Sequence, residues 1–199
     1  MTIWDRRYSK SDYLYGKEPN DFVVQAAPLI PPGPVLCLAA GEGRNAVYLA
    51  QQGYAVKAVD ISIVGLDKAK RLAAAAGVEI ETEVVALADF KIPANYWGGI
   101  LSIFAPLPPI ARAKLHRQCV AGLVPGGMLV LEAYTPAQLQ LKTGGPATAS
   151  LMMDLAILHH ELAGLEFKYG VETERQIVEG SGHHGLGSVV QVIAVKPGL

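Results

Sequence analysis

No stretch of this 199-residue chain stays apolar for the roughly 18–20 residues that crossing a bilayer requires. Charge of one sign is also missing. Seventeen Lys and Arg stand against 18 Asp and Glu, a net charge of −1, which argues against a nucleic-acid partner bound by phosphate neutralisation. Cysteine is scarce: Cys37 and Cys119 both lie in apolar patterns and read as reduced core residues rather than a disulfide. No Cys/His spacing of zinc type occurs, so no metal is expected. The opening MTIWDRRYSKSD lacks the apolar core of a signal peptide, and the expected location is cytoplasmic. What is present is 51% hydrophobic and 18% charged residues, the balance of a globular chain. The length fits one domain with a sizeable core. We expect residues 34–199 to form that core and 1–33 to lie over its mouth as a flap.

The informative stretch is Val35 to Asn45, VLCLAAGEGRN. An apolar run, a Gly-x-Gly turn and the start of a helical pattern together present backbone N–H groups to a ligand at close range. A second apolar run, Ala55–Val59, ends in Asp60. An acid at the tip of the second strand of a βαβ unit is placed to accept hydrogen bonds from ribose hydroxyls. The expected ligand is therefore a cofactor that carries a nucleoside.

The flap holds Trp4, Tyr8, Tyr13, Tyr15 and Phe22, and Asp21 is the expected cap of a short helix from Phe22 to about Ala27. Alternation follows: strand Val35–Ala40, helix Arg44–Gln52, strand Ala55–Asp60, helix Val64–Ala76 capped by Ser62, strand Glu79–Val85, strand Gly99–Phe104, helix Pro109–Leu123. Pro125-Gly126-Gly127 is expected to turn tightly into strand Met128–Ala133. This spacing implies a mostly parallel sheet covered on both faces. The end differs. A polar Gly/Pro-rich loop, Gln138–Ser150, precedes a helix over Leu151–Leu162. The extended runs Glu166–Val178 and Leu186–Val195 then read as a hairpin that adds an antiparallel strand.

Several ordered motifs carry a family resemblance over nearly the whole chain. They are W-D-x-R-Y (Trp4–Tyr8), Y-x-Y-G-x-x-P-N-x-F (Tyr13–Phe22), G-E-G-R-N-A (Gly41–Ala46), A-V-D (Ala58–Asp60), L-A-D-F (Leu87–Phe90), S-I-F (Ser102–Phe104) and L-E-A-Y-T-P (Leu131–Pro136). With them the chain resembles class I S-adenosylmethionine-dependent methyltransferases. More narrowly, it is similar to the group around the tellurite-resistance methyltransferases and thiopurine methyltransferase. The resemblance implies a three-layer, Rossmann-like α/β fold with a seven-stranded, mostly parallel sheet and one antiparallel strand from the C-terminal hairpin. It implies S-adenosylmethionine as cofactor and a small-molecule acceptor, with neither nucleic acid nor membrane as partner, in a monomer or homodimer.

It also implies roles. Gly41 and Gly43 would lie under the methionine part of the cofactor. Arg44 and Asn45 would reach its carboxylate, unless Arg44 is a solvated surface charge. Asp60 would take the ribose, Leu87 the adenine through its backbone, and Ile61 and Ile103 would wall that ring. Phe104 would sit beside the methyl, and Tyr8 and Tyr15 would close the site. The acceptor, by resemblance a soft sulfur, selenium or tellurium nucleophile, would meet Arg175 and His183 of the hairpin. The competing readings are an Arg175 ion pair with Glu172 or Glu174, and a turn histidine in water; His184, His159 and His160 read as surface residues.

Four departures from the family pattern stand out. Cys37 replaces an acid, Ala39 a glycine, and Ala86 an acid or amide beside the adenine, while Ala105-Pro106 stands where relatives often carry Cys-His. A lost hydrogen bond costs about 0.5–3 kcal/mol depending on charge. The first three changes together would weaken cofactor binding by roughly 10- to 1000-fold at tenfold per ~1.4 kcal/mol. Two other readings therefore stand beside the methyltransferase: a degenerate member kept as a binding protein, and a dinucleotide-dependent oxidoreductase, for which a third glycine is missing.

Overall fold

Strand β1 (Val35–Leu38) is buried at every position, and its alternation divides the core. Leu36 and Leu38 pack to one side with Leu115 and Cys119, and Val35 and Cys37 to the other with Leu49 and Leu66. Successive side chains of a strand face opposite ways, so a run apolar at every position must be covered on both faces. In this computed structural model, which describes residues 1–198, that is the arrangement. Seven strands run in the order β3-β2-β1-β4-β5-β7-β6. The others are β2 (Val56–Asp60), β3 (Glu81–Val84), β4 (Trp97–Ile103), β5 (Leu123–Tyr134), β6 (Glu166–Glu179) and β7 (His183–Val195). All pairings through β5 are parallel, and β7 runs antiparallel to both β5 and β6. This is the expected three-layer fold.

The helices cover the faces unequally. Helices α2 (Asp21–Ala26), α3 (Arg44–Gln51) and α4 (Ile63–Ala75) supply Phe22, Ala46 and Leu66 to one layer. Helices α5 (Pro109–Gly122) and α7 (Leu155–Glu161) supply Leu115 and Leu158 to the other. Burying such a side chain is worth about 1.5–3 kcal/mol. Two short α-helices, α1 (Ile3–Tyr8), opened by a Thr2/Asp5 capping box, and α6 (Gln138–Leu141), and two 3-10 turns, Ala27–Leu29 and Ala149–Leu151, are the remaining elements among the described residues.

Local chemistry moves three boundaries. Asn20, not Asp21, caps α2: its side-chain oxygen accepts from the N–H groups of Phe22 and Val23 at 2.9 and 3.1 Å, while the Asp21 side chain is 79% exposed. Pro125-Gly126-Gly127 does not precede β5 but bulges within it: Leu123 pairs with Trp97 and Met128 with Gly99. Gly127 is required there, because a Cβ would come within 2.8 Å of the Val124 carbonyl and 2.9 Å of the Trp97 carbonyl. Helix α7 begins four residues late. Met152 and Met153 are buried extended residues, and the Asp154 carboxylate then caps the helix through the Ile157 N–H at 2.8 Å.

Candidate functional site

Strand β1 leads out to β2 and β3 on one side, and the chain returns to β4 on the other. A crevice opens at the carboxyl ends of strands where the order reverses in this way. Here it is a cavity of about 620 Å³ whose wall includes Ala39–Glu42, Asp60, Leu87, Phe104, Tyr134 and His183. Two wall residues adopt backbone conformations that side chains rarely take: Ala39 at φ 48° and Phe104 at φ 49°. Such positions cost of order 1–3 kcal/mol and gather at functional sites.

The turn after β1 is braced from β2. Asp60 is buried and accepts from the Gly41 N–H and the Ser62 N–H, both at 2.8 Å. Burial raises its pKa above the ordinary value, against the hydrogen bonds that lower it. A carboxylate offers about four acceptor positions, so these backbone bonds leave it capacity for a ligand. Gly41 lies under Tyr8, whose hydroxyl would be 2.9 Å from a Cβ there. Asn45 lines the cavity, yet its side-chain oxygen accepts from the Asn20 N–H at 2.9 Å and so holds the flap. Ile61, Leu87 and Ile103 line the expected adenine end.

Three residues stand away from the wall, and two of them, Gly43 and Arg175, were expected at the site. Gly43 is not part of the cavity wall. It caps α3 at φ 91°, and a Cβ would fall 2.4 Å from that of Ala69, so this glycine lets α3 and α4 approach. Cys37 is also absent from the wall. Its side chain lies in the α2/α3 core, and burial pushes its thiol up to about 12. Arg175 does not line the cavity either. Glu132 binds it bidentately at 2.7 and 2.8 Å, with Glu179 and Asp21 at 3.4 and 3.5 Å, rather than Glu172 or Glu174. Glu132 is wholly buried, and a buried carboxylate requires such a partner.

Arg44 does reach the wall and is buried rather than solvated, but its guanidinium is held by Glu179 at 2.7 Å. His183 is buried too, at 8% exposure. Its ring packs against Tyr15, Phe104 and Tyr134 with centroids 4.4, 4.8 and 5.5 Å away. Its Nδ1 lies 3.3 Å from a Glu179 carboxylate oxygen. Burial opposes ionisation of Glu179, but hydrogen bonds and charges from His183 and Arg44 hold its pKa down at about 2. Burial also raises the pKa of Tyr8, Tyr15 and Tyr134, so these phenols are neutral at ordinary pH. His159, His160 and His184 are exposed.

Sequence reasoning missed Glu42, Lys68 and Glu179. Glu42 is the middle residue of the Gly-x-Gly turn. It pairs with Lys68 of α4 at 2.5 Å and accepts from the Leu14 N–H of the flap at 2.7 Å. Lys68 is 3% exposed and also donates to the carbonyls of Tyr8, Lys10 and Asp12. Glu179 carried a signal. In a hairpin that turns at Gly180–Gly182 it stands directly across from His183.

Residues 35–127 match the family model described as a methyltransferase domain. A search of curated proteins gives no match. Among solved structures, TehB from Haemophilus influenzae is similar at a TM-score of 0.73 and 21% identity, over 97% of this chain and 65% of that one. The N-methyltransferase NodS from Bradyrhizobium japonicum WM9, solved with S-adenosyl-L-homocysteine, is similar at 0.72 and 13%, over 98% and 97%. The structure titled "Conversion of a Disulfide Bond into a Thioacetal Group during Echinomycin Biosynthesis" is similar at 0.77 and 15%, over 97% and 88%. At these identities the likeness bears on the fold. The match to a methyltransferase domain thus covers residues 35–127, and S-adenosylmethionine is the cofactor that goes with such a domain.

Proposed function

We propose that this S-adenosylmethionine-dependent methyltransferase acts on a small molecule through a soft nucleophile such as sulfur, selenium or tellurium. The observation that carries the reading is one cavity holding the Gly41 turn, Asp60 and His183 together. The residues fit the cofactor: Asp60 keeps acceptor capacity for ribose hydroxyls, and Ile61, Leu87 and Ile103 line the same cavity and offer apolar walls to adenine. Ala39 takes the left-handed conformation that a glycine would take, so the turn keeps its shape, and this favours a working site over a degenerate one. Bound there, the cofactor supplies a methyl group on a positively charged sulfur.

The chain's own part is positioning, worth up to ~7–11 kcal/mol when two reactants are held in line. Phe104 and Tyr134, with ring centroids 4.7 Å apart, form the wall beside the tips of β4 and β5. Calorimetric titration with S-adenosylhomocysteine tests the reading, and binding in the micromolar range is expected. Asp60→Ala should weaken it about 10- to 100-fold, the loss of charge-assisted bonds worth about 1.5–3 kcal/mol. No binding by the native chain at millimolar ligand contradicts the reading.

A further inference from the structure

A second cavity shares no wall residue with the first. Its volume is about 320 Å³, at the lower end of ligand pockets, which start at roughly 300 Å³. The connection from β3 to β4, residues 85–96, contains no helix, and the cavity lies beneath it. Val56 and Ala58 pack into the α2/α3 layer, so Lys57 between them faces the α5 side. There Lys57 and Glu83 line the cavity with Val85 and Phe90.

Trp97 lines this cavity too and is 3% exposed, yet its Nε1 has no hydrogen-bond partner among the described residues. A buried indole N–H normally finds an acceptor, and leaving it without one is costly. The rest of the wall carries both signs of charge. Lys57 is held by Glu81 and Glu83 at 2.7 and 2.8 Å. Asp89 and Lys91, also in the wall, have no ion-pair partner among the described residues. A simple anion at Trp97 and Lys91 would meet the carboxylates of Asp89 and Glu83. A simple cation at those carboxylates would leave the Trp97 N–H without an acceptor. A ligand that carries both charges satisfies both sides.

We propose that this cavity binds a free α-amino acid with an apolar side chain. The carboxylate accepts from Trp97 Nε1 and Lys91 Nζ, the ammonium donates to Asp89 and Glu83, and the side chain packs on Val85, Phe90 and Pro93. The site also adjoins the first cavity. Val85, Asp89 and Phe90 belong to the second wall, whereas Ala86, Leu87 and Ala88 belong to the first. The loop between them is tight: the N–H groups of Asp89 and Phe90 both donate to the Ala86 carbonyl, at 2.9 and 3.0 Å. Helix α5 pins it through Lys114 on the Ala88 carbonyl and Gln118 on the Ile92 N–H. An amino acid on one side of this loop therefore alters cofactor affinity on the other, and the cofactor alters amino-acid affinity by the same factor. Only that coupling rests on the methyltransferase reading.

The test follows the indole N–H signals of the full chain by NMR; there are two tryptophans, and Trp97→Phe identifies which signal is which. L-leucine should shift the Trp97 signal saturably at millimolar concentration. The same body without its ammonium, 4-methylpentanoate, or without its carboxylate, 3-methylbutylamine, should need at least tenfold more. Lys91→Ala and Asp89→Asn change exposed positions and should each weaken L-leucine at least fivefold, with S-adenosylhomocysteine affinity unchanged when no leucine is present. Saturating L-leucine should change the S-adenosylhomocysteine Kd of the native chain at least threefold in calorimetry. A Trp97 signal that L-leucine does not move, or that 4-methylpentanoate moves as readily, overturns the inference. Leucine binding with an unchanged S-adenosylhomocysteine Kd overturns the coupling. A chain that binds L-leucine but not S-adenosylhomocysteine overturns the methyltransferase reading instead.

Discussion

At the scale of single residues, Ala39 shows how one methyl group is tolerated beside the cofactor turn. Its φ of 48° costs a residue with a Cβ about 1–2 kcal/mol, and glycine gives back about 0.5–1 kcal/mol through its looser unfolded chain. Ala39→Gly should therefore stabilise by about 0.5–1 kcal/mol and raise the thermal midpoint by about 1–4 °C. A midpoint that falls in a calorimetric scan contradicts strain at this position. Cys37→Asp should do the opposite. It places a carboxylate on a strand position that is 3% exposed and faces the α2/α3 core, at a cost of about 3 kcal/mol or more. Of the three altered family positions expected beside the cofactor, Ala39 and Ala86 line the cavity and Cys37 does not. Gly41, Asp60, Phe104 and His183 were legible because each stands at the end of a strand or hairpin that the hydrophobic pattern marks. Arg175 was not, because its partner Glu132 lies 43 residues away on another strand.

At the scale of elements, two clasps tie helices to what they cover. Lys68 of α4 gathers three carbonyls of the flap and the Glu42 carboxylate. Lys68→Met leaves Glu42 buried without its cation, which costs about 3–5 kcal/mol. Protease should then cut the exposed Ser9–Asp12 segment well before the core, and S-adenosylhomocysteine affinity should fall at least tenfold. Flap cleavage no faster than in the native chain counts against the clasp. The second clasp joins α5 to α7, where Arg112 and His116 both bind Glu161, at 3.0 and 2.7 Å. Burial opposes ionisation of Glu161, but these partners hold its pKa near 2 against an ordinary 4.5. A lowered carboxylate pKa gives stability that is present above the unfolded value and lost as pH falls toward the folded one. Denaturant midpoints should thus drop between about pH 4.5 and 2, less steeply in Glu161→Gln. The element types were readable from periodicity, whereas the bulge in β5 and the late start of α7 depend on close packing at Gly127 and Met153 that no local pattern encodes.

At the scale of the whole molecule, the two ends of the chain meet over the cavity. A Cβ on Gly180 would fall 2.4 Å from the Leu14 carbonyl and 2.5 Å from the Gly16 nitrogen, while the Gly182 N–H donates to the Leu14 carbonyl at 2.9 Å. Gly180→Ala should leave the circular dichroism of the sheet intact and raise the acceptor KM severalfold. A KM equal to the native value rules out closure by this contact. The mostly parallel sheet was legible from strand–helix alternation, and the meeting of flap and hairpin was not, since nothing local links Leu14 to Gly182. The same arrangement has a consequence for assembly. Asn20 and Arg44 find their carboxylate partner in Glu179, 159 and 135 residues further on. A chain emerging from the ribosome cannot complete these pairs until the last hairpin is made, so the pocket is finished last although its glycine turn is synthesised early. Contacts of such long sequence separation form slowly, and the partly made molecule should be the species that chaperones and proteases meet.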